Sequence, residues 1–241
     1  MKRKRKGLRI AVLSVACLLT AVLGGFYVYT LDYYHADADA LGLLSSDPLI
    51  TQEDGNITLI RAAPISDMHV GLIFYPGGKV EASAYLPLLK QLSQKGITCV
   101  LLKMPFNLAV FDVNAADRVY TRFPEIQSWY LAGHSLGGAM ASSYAGAHTD
   151  QLKGLILLGA YPLNDAAVAT LAVYGSEDQG LDRAKLESAE EKVEISGGNH
   201  AYFGNYGEQK GDGTATITRE AQQAQAVDAI ITFIQTTNVE P

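Results

Sequence analysis

The sequence predicts an α/β fold, with a mostly parallel central sheet flanked by helices and one membrane-spanning helix ahead of it. From residue 57 onward, short apolar or β-branched runs alternate with helical patterns, as expected for strands joined by crossover helices. Most of the strand-like runs are mainly apolar, which suits strands that are covered on both faces. At the N-terminus, six basic residues precede a long uncharged run.

The uncharged run from Ile10 to Thr30 is predicted to be a transmembrane anchor. As a helix it reaches roughly 31 Å, the hydrocarbon thickness of a bilayer. The positive-inside rule places the basic segment 1–9 in the cytoplasm and the rest of the chain outside, at the cell membrane. A cleaved signal peptide is the alternative, with the small residues from Ala21 to Gly25 as a cleavage region, and the domain would then be secreted.

Residues 31–55 are acidic and contain serines, and they are predicted to be a tether before a single globular domain over residues 56–241. Leaving out the basic segment, 13 basic residues stand against 25 acidic ones, a formal charge of −12. This balance argues against a nucleic-acid partner. Cys17 lies in the apolar run and Cys99 in a predicted strand, so no disulfide is expected.

Seven strands and five helices are predicted in this domain. The strands are Ile57 to Arg61, Val70 to Tyr75, Thr98 to Leu102, Trp129 to Ala132, Leu155 to Leu158, Thr170 to Tyr174 and Lys192 to Ile195. The helices are Ala82 to Lys95, Asn114 to Arg122, Gly137 to Ala147, Arg183 to Glu190 and Thr218 to Gln235.

A serine lies at the apex of a predicted strand, tight turn and helix. The segment 129–132 leads into Gly-His-Ser-Leu-Gly-Gly, in which Ser135 is flanked by Gly133 and Gly137. Such a turn forces the serine into a strained conformation and brings strand and helix so close that only glycine fits beside it. Ser135 is therefore a candidate nucleophile, the alternative being an ordinary strand-to-helix turn.

A serine hydroxyl needs a base, and histidine has the pKa suited to that task. His200 lies in a flexible loop after a late strand, on the predicted catalytic edge of the sheet. The other histidines are less suitable: His35 lies beside the anchor, His69 at the far end of a strand, His148 at the far end of a helix, and His134 is expected to point away from Ser135.

The third residue should be a carboxylate after the preceding strand, where it can orient the imidazole. Asp178 is the favoured candidate, ahead of its neighbour Glu177 and of Asp182. The developing oxyanion also needs backbone N–H donors. Leu136, after the nucleophile, is one candidate; Gly78 is the other, with Lys79 as its alternative.

The segments Tyr-Pro-Gly-Gly-Lys at 75–79, Gly-His-Ser-Leu-Gly-Gly at 133–138, Tyr-Gly-Ser-Glu-Asp at 174–178 and Gly-Gly-Asn-His at 197–200 resemble the α/β-hydrolase superfamily, particularly its compact members related to dienelactone hydrolases. The chain order Ser135, Asp178, His200 is that of this superfamily. Dienelactone hydrolases use a cysteine nucleophile, so the serine here indicates an ester or related acyl bond instead. Only Tyr161 to Val168 separate two strands, too few residues for a cap domain.

The resemblance implies a serine hydrolase acting on a small-molecule acyl or ester substrate, with no metal or organic cofactor. An acyltransferase of the same fold and a non-catalytic, tethered binding domain are the alternatives. Apolar residues between Lys103 and Phe111 are candidates for an acyl pocket or for core packing. The stretch from Tyr202 to Ile217 is predicted to be an ordered surface loop.

Overall fold

The computed structural model describes residues 2–63, 69–163 and 168–238, and the chain divides into two units, Met1–Tyr33 and Tyr34–Pro241. The first unit is helix α1, Lys2–Leu31. Its stretch Val12–Leu31 has a mean hydropathy of 2.0 and is long and apolar enough to cross a membrane. An apolar helix near the N-terminus is also a feature of signal sequences.

The second unit contains a mostly parallel sheet of eight strands within the described residues, in the order β1-β2-β4-β3-β5-β6-β7-β8. Strands β1 and β2 run antiparallel to their neighbours, and β3 to β8 are parallel. The strand bounds are Ile50–Gln52, Ile57–Ile60, Val70–Tyr75, Thr98–Leu102, Ser128–His134, Gly154–Leu158, Ala169–Gly175 and Glu191–Ile195. The predicted fold class is confirmed.

Helices cover both faces of the sheet, and alternate residues of each central strand enter opposite cores. In β3, Leu72 and Phe74 pack in one core with helices α3 (Leu86–Ser93) and α6 (Arg219–Thr237), whereas Ile73 and Tyr75 pack in the other with α5 (Leu136–Ala147). This explains why the central strands are apolar throughout. The helices are α2 Ala38–Ser46, α3 Leu86–Ser93, α4 Asp117–Tyr120, α5 Leu136–Ala147 and α6 Arg219–Thr237, and 3₁₀ turns occupy Ala82–Tyr85, Pro105–Asn107, Ala109–Phe111, Arg183–Ser188 and Ala201–Phe203.

All seven predicted strands are present, but three predicted helices are shorter than expected. The first begins as the 3₁₀ turn Ala82–Tyr85, and the second is reduced to the four residues of α4. The helix predicted from Arg183 to Glu190 is instead the 3₁₀ turn Arg183–Ser188, in which Leu186 alone is buried. Such a segment has no apolar stripe to hold a longer helix against the core.

The predicted tether over residues 31–55 differs most from the structure, because it contains α2 and β1. Strand β1 pairs with β2, and the Tyr34 N–H donates to the Lys79 carbonyl at 2.7 Å. The acidic residues that indicated a tether have structural partners: Asp37 caps α2, and Asp47 lies 2.6 Å from the ammonium of Lys90. The sheet-bearing unit therefore starts at Tyr34, ahead of the predicted boundary at residue 56.

Candidate active site

Ser135 lies at a sharp turn between β5 and α5, as predicted. Its φ of 52° and ψ of −121° fall outside the regions that a serine normally adopts. A Cβ on Gly133 would lie 2.6 Å from the carbonyl carbon of Gly137, and a Cβ on Gly137 would lie 2.2 Å from the Pro76 oxygen. The two glycines are therefore required by the close approach of strand and helix, as the sequence indicated.

The loops after β7 and β8 bring Asp178 and His200 together. The Nδ1 atom of His200 lies 2.7 Å from Oδ2 of Asp178, and both side chains are buried. Because a carboxylate oxygen accepts, Nδ1 carries the proton and Nε2 keeps a lone pair. The second carboxylate oxygen of Asp178 accepts the Gly180 N–H at 3.0 Å, which fixes the orientation of the acid.

The two alternative acids do not contact His200. Glu177 accepts a hydrogen bond from the Ser176 hydroxyl at 3.0 Å. Asp182 caps the following 3₁₀ turn by accepting the Ala184 N–H at 3.2 Å. Of the three acidic candidates, Asp178 is the one in position to orient the imidazole.

Ser135 and His200 line one pocket of about 310 Å³. The rest of its lining is uncharged and mostly small or apolar: Leu136, Ala139, Gly159, Ala160, Tyr161, Gly180 and Leu181. The segment Lys103 to Phe111, a candidate for the acyl pocket, does not contribute to this lining. Its Met104 and Ala109 are instead buried in the core on the α5 face of the sheet.

Three successive backbone amides follow β3, and two of them have acceptors. The Gly77 N–H donates to the Tyr85 hydroxyl at 3.0 Å, and the Lys79 N–H donates to the Asn107 carbonyl at 2.8 Å. That second bond removes Lys79 from the oxyanion alternatives. Over the described residues, the Gly78 N–H and the Leu136 N–H have no acceptor in the protein. The two residues are adjacent, since a Cβ on Gly78 would lie 2.7 Å from Cδ2 of Leu136.

The other histidines lie where the sequence indicated, with one unexpected contact. His69 precedes β3, at the opposite end of the sheet, and His148 follows α5. His134 is fully buried, and its Nε2 lies 3.0 Å from the carbonyl oxygen of His200. Burial, together with the neighbouring His200, holds the pKa of His134 well below its usual value.

Sequence reasoning missed two further residues at the Asp178–His200 pair. Gly159 follows β6 with φ of +53°, and a Cβ there would lie 2.9 Å from Nδ1 of His200. Asp212 accepts the N–H of His200 at 3.2 Å and that of Ala201 at 2.8 Å. For Gly159, the position of a glycine directly after a predicted strand was a usable signal of a close contact. Asp212 lies in the predicted surface loop, where nothing in the sequence pattern distinguishes it from a solvated charge.

The model of the alpha/beta hydrolase family matches residues 71–224, more than half of the 241 residues. The chain belongs to this family. No curated protein matches this hydrolase. Its fold is similar to that of Est1E from Butyrivibrio proteoclasticus, solved with ferulic acid, at 14% identity and a TM-score of 0.58, covering 77% of this chain and 99% of that one.

Two further solved structures are similar to this hydrolase. A membrane phospholipase A, described as a bacterial virulence factor, is 15% identical with a TM-score of 0.54 and full coverage of both chains. XC6422 from Xanthomonas campestris, a serine hydrolase without a lid, is 15% identical with a TM-score of 0.51, covering 75% of this chain and 88% of that one. Identities this low carry the fold alone. Family membership supports hydrolase activity on a small-molecule substrate.

Proposed function

We propose that this hydrolase cleaves an ester or related acyl bond through an acyl-enzyme on Ser135. In this proposal His200 is the base, and Asp178 is the carboxylate that orients and stabilises it. One observation carries the proposal: a buried carboxylate–imidazole pair shares a pocket with a serine held in a strained turn. Structural side chains have no need of this combination, because strain and buried charge both cost stability.

The proposed mechanism uses only side chains and amides of this chain. Nε2 of His200 takes the Ser135 proton as Oγ attacks the carbonyl carbon, and the carbonyl π electrons move to the oxygen. The N–H groups of Gly78 and Leu136 donate to that oxyanion, which is supported by their lack of other acceptors. The imidazolium, stabilised by Asp178, then protonates the departing alcohol. His200 then deprotonates a water molecule as it attacks the acyl carbon; the bond to Ser135 Oγ breaks, the imidazolium returns its proton to Oγ, and the acid leaves.

The pocket supports a compact, uncharged acyl group as substrate. Its lining apart from His200 carries no charge, and its volume of about 310 Å³ lies at the lower end of ligand pockets. The similar structures include Est1E with bound ferulic acid and a membrane phospholipase A, which is consistent with acyl-bond cleavage here. Short-chain nitrophenyl esters are therefore the substrates of choice for a first assay.

A fluorophosphonate probe tests the nucleophile directly, because it reacts with an activated serine. The full chain in detergent is compared with Ser135→Ala and with Ser128→Ala, a serine at the other end of β5. Labelling and ester turnover should disappear in Ser135→Ala and persist in Ser128→Ala. A folded wild type that neither labels nor cleaves esters would overturn the proposal in favour of a binding domain. Transfer of the acyl group to an added alcohol, with little free acid, would favour an acyltransferase.

We also propose that α1 anchors the enzyme in the membrane with its N-terminus in the cytoplasm. The support is the length and composition of Val12–Leu31, together with the basic residues before it. In cell fractionation the protein should stay with membranes after carbonate washing, and arginines at Leu18 and Leu19 should release it. A mature N-terminus within or after this helix would show instead that the segment is a cleaved leader.

A further inference from the structure

Beneath the pocket, a continuous chain of three hydrogen bonds runs from Gly77 to His200. The Gly77 N–H lies 3.0 Å from the Tyr85 hydroxyl oxygen. That oxygen lies 2.8 Å from Nδ1 of His134, and Nε2 of His134 lies 3.0 Å from the carbonyl oxygen of His200. The chain connects residues that are 49 and 66 positions apart in the sequence.

The direction of every bond follows from chemistry. A carbonyl oxygen only accepts, so Nε2 of His134 carries a proton. In a neutral imidazole the other nitrogen is then an acceptor, and Tyr85 must donate its hydroxyl proton to Nδ1. The hydroxyl oxygen in turn accepts the Gly77 N–H. Each donor has one acceptor, and the arrangement has one tautomer.

Both side chains are in a setting that keeps them neutral. Tyr85 and His134 are fully buried. Burial raises the pKa of the Tyr85 phenol and lowers that of His134. The rings packed against His134 are those of Tyr85, His200, Phe203 and Tyr206.

We propose that Tyr85 and His134 are positioning residues for the reaction. They tie together the three segments that supply its working groups. Gly77 precedes the donor Gly78, His134 precedes the nucleophile Ser135, and the His200 carbonyl belongs to the base itself. A shared buried chain sets the spacing of the oxyanion donor, the nucleophile and the base. This inference rests on the proposed function, because the groups that are positioned are the proposed nucleophile, base and oxyanion donor. Neither side chain touches the substrate.

Tyr85→Phe tests the chain with little change in packing. The variant loses the hydroxyl that joins Gly77 to His134 and keeps the ring. We expect kcat to fall by about 10- to 100-fold with KM within about twofold, because misplacement by about 1 Å costs this much in rate. The matched control is Tyr130→Phe, another buried tyrosine of the same core, whose hydroxyl bonds Thr237. The control should lose a similar amount of thermal stability and keep kcat.

A second pair of variants separates positioning from packing. His134→Gln keeps a donor and an acceptor on the side chain and should retain more of kcat than His134→Leu, which has neither.

In ¹⁵N NMR spectra of the folded wild type and of Ser135→Ala, the His134 ring should show a protonated Nε2 and an unprotonated Nδ1. Equal rates for the two variants, an unchanged kcat in Tyr85→Phe, or the other tautomer would each overturn the inference while wild-type turnover persists. Absent wild-type turnover would instead overturn the proposed function, and the positioning role with it.

Discussion

A tyrosine–histidine pair lies at each end of α5, and the two pairs differ in which segments of the chain they connect. At the N-terminal end, Tyr85 and His134 are tilted at 52° and lie in a hydrogen-bond chain that ends on His200. At the C-terminal end, the rings of Tyr144 and His148 are stacked, with centroids 3.9 Å apart and planes at 8°. The first pair joins segments distant in sequence, whereas the second stays within one helix turn.

The polar partners show the same contrast. The Tyr144 hydroxyl donates to Asp117 at 2.5 Å, and Nδ1 of His148 bonds the Tyr144 carbonyl at 2.9 Å. These contacts hold α4 and the end of α5 together but do not reach the pocket. If the proposed mechanism holds, polar groups at the first end serve the reaction and those at the second serve stability.

The largest effect is expected from Ser135→Ala and His200→Ala. Either variant should lower kcat by about 10⁴- to 10⁶-fold, because loss of one member of a serine triad removes most of its catalysis. His148→Ala, at the other end of α5, should stay within about twofold of wild type in the same ester assay. Substantial turnover by folded Ser135→Ala would assign the nucleophile elsewhere.

Asp178→Asn should come next, with a loss of about 10³- to 10⁴-fold in kcat, because a neutral amide does not stabilise the imidazolium by charge and its NH₂ group can hold His200 in the wrong tautomer. Asp117→Asn provides the comparison at the C-terminal end and should leave kcat unchanged. Glu177→Gln should also be close to wild type. Steady-state kinetics that ranked Glu177→Gln below Asp178→Asn would reverse the assignment of the acid.

Gly159→Ala should cause a smaller loss, about 10- to 100-fold in kcat, because the added methyl would push into the His200 imidazole. Gly42→Ala in α2 is the control, since a Cβ there meets nothing within 4 Å. The melting temperature of both variants shows whether the effect is local. A Gly159→Ala enzyme with wild-type kcat would mean that the Asp178–His200 pair tolerates a shift.

Tyr144→Phe should reverse the pattern and affect stability alone. The hydroxyl donates to a carboxylate, and loss of such a bond costs about 1.5–3 kcal/mol of the free energy of unfolding. Urea unfolding measures this cost, and the ester assay should show an unchanged kcat. Impaired turnover in this variant would show that the two ends of α5 are coupled.

The weakest effect is expected in the pH dependence of stability. Because the pKa of His134 is lowered in the folded state, the unfolded chain binds a proton below about pH 6.5 that the folded chain does not. The contribution of His134 to the free energy of unfolding should therefore be constant above about pH 6.5. Below about pH 6.5 the free energy of unfolding should decrease, by at most about 1.4 kcal/mol for each pH unit. His134→Gln should flatten that slope in urea unfolding between pH 5 and 8. Parallel curves would contradict the neutral, buried state of His134.

The strands and the elbow were predictable because their patterns are local. Apolar runs marked the strands to within two residues, and the glycines around Ser135 marked a close approach of backbone. The contact between Tyr85 and His134 was not predictable, since it depends on how the 3₁₀ turn Ala82–Tyr85 and β5 pack. The segment from Tyr34 to Gln52 was missed for a related reason: its acidic residues act as helix caps and ion-pair partners, which composition alone cannot distinguish from a solvated tether.

The short connection between β6 and β7 has a kinetic consequence. Residues 161–168 are too few to form a domain that closes over Ser135, so we expect ester to reach the serine without the opening of a cap domain at this position. Lipases with mobile lids show a jump in rate when the substrate first forms droplets or micelles. For this enzyme the rate should instead rise smoothly and saturate with dissolved ester, without a break at the solubility limit.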